Sequence, residues 1–429
     1  MVESASPASN DAGAPGKTKG GGTSRWVILI VLALGAVLGF VDRTNIAQAL
    51  AAPEFIKHFN LTNLDRGTLN SAFFWSYAAL QIPMGWIVDR YGVKLPYTIC
   101  FAVWCVASAA CGLADTFMAL ILMRVLTGAG EAIVTPASYR WIRSNFSETQ
   151  SGLAVGIYSL GTKIGPALGG PIAAWLIVNH DWRIMFAALG LGGLLWLIPW
   201  NLLVKSDLPK TGTVRKKSAV PLSNIMASPL VWGTIIINFC YNYFVFYCMT
   251  WMPAYLVEHR GLSLKKEGLY TFFSFAGIAI VALLSGWIAD MMIKRGWNAV
   301  IVRKTFVICG FVIACTELLG VLADTEQMAL FWTVVSLSGL GLATANHLAL
   351  CRLTLIPAPA VGLVTGVQNV STSLAGIVTP LLSGWLLEET GGYTAPMLVI
   401  FAFLVIGGLT TLFLLKEKWA PKVPEITAD

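Results

Sequence analysis

Twelve stretches of roughly twenty or more mostly apolar residues follow one another along the chain, at 26–51, 67–89, 96–114, 116–140, 152–178, 183–204, 229–257, 268–290, 304–323, 328–350, 362–387 and 394–415. A hydrocarbon core about 30 Å thick is crossed by about 20 residues of α-helix. Backbone N–H and C=O groups find no water there, so a crossing segment is either a helix or one strand of a closed barrel. Barrel strands are about ten residues long and alternate in polarity. These stretches are longer and continuous, and they predict an all-α polytopic membrane protein. Charged residues make up only 12% of the 429, against about 25% in soluble domains.

Positive charge is retained in cytoplasmic loops. With both termini in the cytoplasm, twenty of the 29 Lys and Arg residues lie on that side, Arg352 among them. Six lie on the other (Lys57, Arg66, Arg183, Arg260, Lys265, Lys266), and Arg43, Arg124 and Lys163 fall inside spans. The net charge of +7 therefore reports topology, and no nucleic-acid partner is expected. Residues 1–24, rich in Ala, Gly and Ser, read as a disordered cytoplasmic tail. Lys17, Lys19 and Arg25 ahead of an apolar run have the outline of a cleavable signal. Cleavage would leave eleven spans, and Asp42 and Arg43 interrupt the run. The eight cysteines contain no C-x-x-C, the four histidines have no ligand spacing, and no P-loop occurs. No metal, no cofactor and no enzymatic activity are expected.

The polar, basic segment 205–228 divides the spans into an N-terminal half (25–204) and a C-terminal half (229–415), followed by a cytoplasmic tail (416–429). Gly85-Trp-Ile-Val-Asp89 closes the second span and Gly286-Trp-Ile-Ala-Asp290 the eighth, and Pro166 in the fifth is echoed by Pro380 in the eleventh. Parallel six-span repeats place a substrate path at their interface near the bilayer midplane. The stretch "GWIVDRYGVK" has the spacing G-x-x-x-D-R-x-G-x-K of the loop between the second and third helices of the major facilitator superfamily, and the chain resembles that superfamily. Gly85, Asp89, Arg90, Gly92 and Lys94 are then gating residues: Gly85 permits close helix approach, and Asp89 joins Arg90 at neighbouring helix ends. A generic charged turn would read the same way. In the second half Met291 follows Asp290, which makes a symmetric gate doubtful.

Six ionisable residues fall within spans: Asp42, Arg43, Arg124, Glu131, Lys163 and Glu317. Each costs roughly 2.5–3.5 kcal/mol at a helix centre, so each is a candidate functional group. By helical rise, Arg43 and Arg124 both lie about 12 Å below the outer surface, and Glu131 about 10 Å deeper on the Arg124 face. Lys163 adds a third cation near mid-depth. Deep guanidinium groups bind a carboxylate in bidentate fashion, and a poorly hydrated carboxyl can take up and release a proton. The alternative is structural pairing, Asp42 with Arg43 or Arg124 with Glu131. Glu317, with no evident partner, reads as structural. Neutral donors and acceptors on the second, fifth, seventh and eleventh spans (Tyr77, Thr162, Asn238, Tyr241, Asn242, Gln368, Asn369, Ser371 and Ser373) suit a hydroxylated substrate, although such residues also join helices.

Together, "VDRTNIA", "FFWSYAALQIPMGWIVDRYG", "RVLTGAGEA" and "FCYNYFVFYCMTWMPAYL" resemble the anion:cation symporter family of that superfamily, over about 25–415. The resemblance implies proton-coupled symport of an organic carboxylate, a sugar acid or dicarboxylate, by a carrier functioning as a monomer in the bacterial inner membrane. It implies Asp42 and Glu131 as proton-coupling acids, Arg43 and Arg124 as their partners or substrate contacts, and Tyr77 as a substrate contact. Where the family's galactonate carrier has glutamines, this chain offers Thr162 or Lys163 and Asn238. The extra cation points to an anion with more than one carboxylate. Anion exchange or facilitated transport is an alternative. So is efflux of organic compounds, since "GTKIGPALGG" matches a drug/proton antiporter pattern, but three buried bases suit cationic drugs poorly.

Overall fold

The computed structural model describes residues 22–205 and 220–422. Twelve long helical segments account for most of them, and no strand occurs among the described residues. They are α1 (Gly22–Ala51), α2 (Asn63–Tyr91), α3 (Lys94–Leu113), α4 (Phe117–Asn145), α5 (Glu148–Asn179) and α6 (Trp182–Leu203) in the first half. The second half has α7 (Pro229–Thr250), α8 (Leu264–Lys294), α9 (Ala299–Leu322), α10 (Glu326–Arg352), α11 (Val361–Thr390) and α12 (Thr394–Phe413). Each sits on one of the twelve stretches read from the sequence. Ten are both long and apolar enough to cross a bilayer. The other two, α2 and α5, are as long but carry more polar side chains, and both line the space between the halves.

The helix starts are written locally. The Thr62 hydroxyl accepts from the Asp65 amide in a reciprocal capping box at α2. Thr116, Ser228, Ser263, Asn298 and Thr325 accept in the same way at α4, α7, α8, α9 and α10. Each satisfies a first-turn amide that has no helical partner. α1 begins three residues before the end of the tail assigned to 1–24, whose first 21 residues lie outside the described ones, as do 206–219 of the linker and 423–429. Within the linker a short helix (Leu222–Met226) is tied to the C-terminal segment: Asn224 donates to the Lys422 carbonyl, and Ser228 just after it to that of Trp419.

The halves meet along α2 with α11 and α5 with α8. At the face away from the linker these pairs are in backbone contact. A Cβ on Gly67 would run into the Pro380 carbonyl oxygen, and one on Gly384 would stand 2.5 Å from that of Asn63. Arg66, 4% exposed, spans the halves there: Nη2 donates to Glu258 at 2.6 Å, and Tyr393 donates to the same carboxylate at 2.9 Å. At the linker face a Cβ on Gly85, Gly362 or Gly366 would meet nothing within 4 Å. The bundle is sealed at the far face and parted at the linker face. The close approach expected at Gly85 is therefore absent in this conformation, because the linker-face ends of α2 and α11 are separated.

Candidate functional site

A cavity of about 460 Å³ lies between the halves. It is lined by Arg43, Tyr77, Thr162 and Lys163 from the first half, and by Asn238, Tyr241, Asn242, Asn369 and Ser373 from the second. α1, α2 and α5 thus present their polar residues to the same space as α7 and α11.

Arg43 reaches from α1 to α4. Its Nε donates to Glu131 Oε1 at 2.6 Å, and Nη2 closes an ion pair with the same oxygen. The guanidinium lies 4.4 Å from the Phe40 ring centroid and 4.7 Å from that of Tyr77, so aromatic faces take the place of solvent around the cation. Gly39 makes room for the acid, since a Cβ there would stand 3.1 Å from Glu131 Oε1. On the other side of α4, Gly130 seats the helix against α3, where a Cβ would come within 2.6 Å of the Cys100 carbonyl oxygen. Glu131 Oε2 has no hydrogen-bond partner. The carboxyl lines a second chamber of about 130 Å³, with Thr135, Tyr139 and Tyr158, that shares Arg43 and Tyr77 with the main cavity.

Neither ion pair considered from the sequence forms. Adjacent residues on a helix point about 100° apart, and Asp42 turns into the α1–α3 contact while Arg43 turns to the cavity. Asp42 accepts from Trp104 Nε1 at 2.7 Å, Ser108 Oγ at 2.9 Å and Asn45 Nδ2 at 3.0 Å. Arg124 is buried, makes no salt bridge among the described residues, and its Nε has no partner. Its guanidinium lies 5.3 Å from the Phe73 ring centroid, and that of Arg43 lies 4.9 Å from it. The two cations meet the same ring, but Arg124 faces a gap of about 10 Å³ behind Phe73 and Phe74. It does not line the main cavity in this conformation, because those rings stand in between.

On the second half, Asn238 Nδ2 donates to the Gln368 carbonyl at 2.8 Å and to Thr372 Oγ1 at 2.7 Å, and Asn242 donates to the Asn238 carbonyl at 2.7 Å. Tyr241 shares a 2.8 Å hydrogen bond with Thr344 and stacks on His347, with Lys163 Nζ 5.8 Å from its ring centroid. Gln368 and Ser371 are corrections. The Gln368 side chain is engaged by Arg352 and the Cys351 carbonyl, and Ser371 donates to the Ile235 carbonyl. Both point into helix contacts, with Asn369 and Thr372 on the cavity side. Glu317, expected to have no partner, accepts from Ser336 in the α9–α10 contact.

Arg352 is a larger departure. Counted among the cytoplasmic charges, it lines the cavity instead, as do His347, Gln81 and Ser159. The last turn of α10 is wound as a π-helix over Leu350–Thr354, which changes the direction of Arg352 relative to an α-helix. Only its position five residues after His347, ahead of Pro357, hinted at a place on a helix end rather than in a loop.

The gating residues also pair differently. Asp89 is held by Arg140 of α4 at 3.2 Å, while Arg90 lies over Trp86 and Tyr91. Lys94 Nζ donates to the Asn201 carbonyl of α6 at 2.8 Å. Gly92 ends α2 at φ 80°, a conformation that favours glycine. In the second half Asp290 is held by Arg303 of α9 at 2.8 Å. The two aspartates are thus each tied within their own half, from non-equivalent helices.

The Major Facilitator Superfamily profile matches residues 32–350. The chain is 30% identical to the D-galactonate transporter of Escherichia coli O6:H1 over 92% of its own length and 96% of that protein's. It is 28% identical to the hexuronate transporter of Bacillus subtilis, over 89% and 91%. With a "probable galactarate/D-glucarate transporter" of Escherichia coli K12 it shares 25%, over 93% and 96%. Among solved structures, a bacterial homolog of the human lysosomal transporter Spinster, inward-facing and occupied, superposes with a TM-score of 0.77 at 19% identity, over 94% of this chain and all of that one. That likeness concerns the fold. With twelve long helices among the described residues, in two halves around a central cavity, this chain is a multi-pass membrane transporter of the major facilitator superfamily.

Proposed function

We propose that this protein is a symporter that takes up an organic carboxylate, a sugar acid or dicarboxylate, together with protons, by alternating access. The observation that carries this reading is the buried Arg43–Glu131 pair on the cavity wall. A buried cation whose partner acid can be protonated is freed to bind another carboxylate, whereas an uncompensated buried charge is strongly unfavourable. Protonation of Glu131 and anion binding to Arg43 thereby favour each other, and this is the linkage that symport requires. The names of the sequence relatives, carriers of galactonate, hexuronate and galactarate or glucarate, support a sugar-acid substrate.

In this reading the linker face is cytoplasmic, both termini lie there, and the conformation described is inward-open. The protein functions as a monomer in the bacterial inner membrane, with protons as coupling ion and no cofactor. Glu131 and Asp42 take up protons from outside, and the anion settles on Arg43, Tyr77 and Lys163. Arg124, behind Phe73, meets it when the far face opens. Closure there and parting at the linker face release the anion, the acids lose their protons, and the empty carrier resets.

Proteoliposomes test this. Addition of a transported sugar acid outside is expected to alkalinise the external medium, and an imposed inward proton gradient to accelerate uptake. Uptake indifferent to the gradient and dependent on anion loaded inside would overturn symport in favour of exchange.

A further inference from the structure

The second half supplies a cation of its own to the cavity. Arg352 lines it at the base of α10, and its Nε donates to Gln368 Oε1 at 2.7 Å. Gln368 is neutral, and among the described residues no acid lies within salt-bridge distance of Arg352. Lys163, from α5, is likewise without an acid. The three cations on the cavity wall, Arg43, Lys163 and Arg352, therefore face a single acid, Glu131, through the smaller chamber. A partly desolvated guanidinium held by a neutral amide is a strong site for a carboxylate.

His347 extends the same subsite. It stacks on Tyr241 with ring centroids 4.5 Å apart. Its Nδ1 lies 3.2 Å from the Ala343 carbonyl. A carbonyl only accepts, so Nδ1 carries the proton and Nε2 of the neutral ring is left as an acceptor. Nε2 is buried and has no partner, and it suits a substrate hydroxyl.

We infer that Arg352 is the second carboxylate anchor of the site, so that the preferred substrate is a hydroxylated dicarboxylate of the aldaric acid class held between Arg43 on one half and Arg352 on the other. Arg140 marks the asymmetry that leaves Arg352 available: the first half uses an α4 arginine to hold Asp89, whereas the second holds Asp290 with Arg303 of α9. A dianion also offsets more of the excess base in the cavity than a monoanion of the same length. This inference rests on the organic-anion reading but not on proton coupling.

Counterflow in proteoliposomes, run without a proton gradient, separates the two. An aldarate and an aldonate of equal carbon number are compared in wild type, Arg352→Gln and Arg352→Lys. Wild type is expected to prefer the aldarate. In Arg352→Gln the aldarate KM is expected to rise relative to the aldonate KM by on the order of tenfold to a hundredfold, the range of hydrogen bonds to charged groups, with Arg352→Lys in between. Lack of preference in wild type, an unchanged ratio in Arg352→Gln, or equal weakening of both substrates would overturn the assignment. Should Arg352→Gln not fold, Arg352→Lys decides, because loss of the bidentate fork still lowers the aldarate preference if Arg352 binds the second carboxylate. Failure of gradient-driven uptake with the aldarate preference intact would count against symport alone.

Discussion

Arg43 donates to Glu131, a residue 88 positions away on another helix, while Asp42, its neighbour in sequence, is bound to Trp104 and Ser108. In the symport proposed above, the cation assigned to the anion and the acid assigned to the proton are therefore one unit. In Glu131→Gln the shape is kept and the titrating group is lost. Counterflow is expected to continue, whereas substrate-induced alkalinisation and acceleration by a proton gradient vanish. A pH-sensitive dye outside proteoliposomes reads this directly, and undiminished alkalinisation would remove Glu131 from the proton path.

Asp42 has two separable roles. It satisfies the Trp104 indole N–H in a fully buried position, and it is the second candidate proton carrier. Asp42→Ala leaves that N–H without a partner, which costs about 1–3 kcal/mol, and a melting temperature several degrees below wild type is expected. Asp42→Asn retains an acceptor oxygen, so a smaller loss of stability is expected together with impaired proton-driven uptake. Thermal unfolding of the three proteins, read alongside uptake, distinguishes packing from coupling.

The Arg66–Glu258 pair closes the far face between the halves. Breaking a fully buried pair costs about 3–5 kcal/mol, and Glu258 is about one-third exposed, which reduces the effect to about 1–3 kcal/mol. Arg66→Ala is expected to shift the population toward opening at that face. A cysteine placed at Thr250, behind the Phe73–Phe74 barrier, in a background without the native cysteines, is expected to react at least several-fold faster with an impermeant thiol reagent.

Two glycines of α2 predict opposite outcomes. Gly67→Ala drives a methyl group into the Pro380 carbonyl and is expected to loosen the closed far face. Gly85→Ala meets nothing within 4 Å, so its stability is expected to stay within about 0.5 kcal/mol of wild type. A transport defect in a normally stable Gly85→Ala protein would then report packing in the opposite conformation of the proposed cycle, in which the linker-face ends of α2 and α11 close.

Much of this molecule is local and therefore legible without coordinates. Span length depends on the run of apolar residues against membrane thickness, and all twelve helices lie where those runs lie. Depth follows from rise per residue, so Arg43 and Arg124 were placed at one level and do meet a common ring, Phe73. The six-and-six division and the polar faces of α1, α5 and α7 were also readable.

Azimuth and partner choice were not. Whether Gln368 or Asn369 faces the cavity depends on how α11 is rotated against α7. Whether Glu131 pairs with Arg124 of its own helix or with Arg43 depends on the contact of α1 with α4. Arg352 looked like a loop charge, because the π-turn at the end of α10 leaves no compositional mark. Sequence by itself determined how many long helices form and which chemistry is available. The tertiary structure decided which charges compensate one another and which remain to meet a substrate, because burial makes an ion pair depend on contacts between helices distant in the chain.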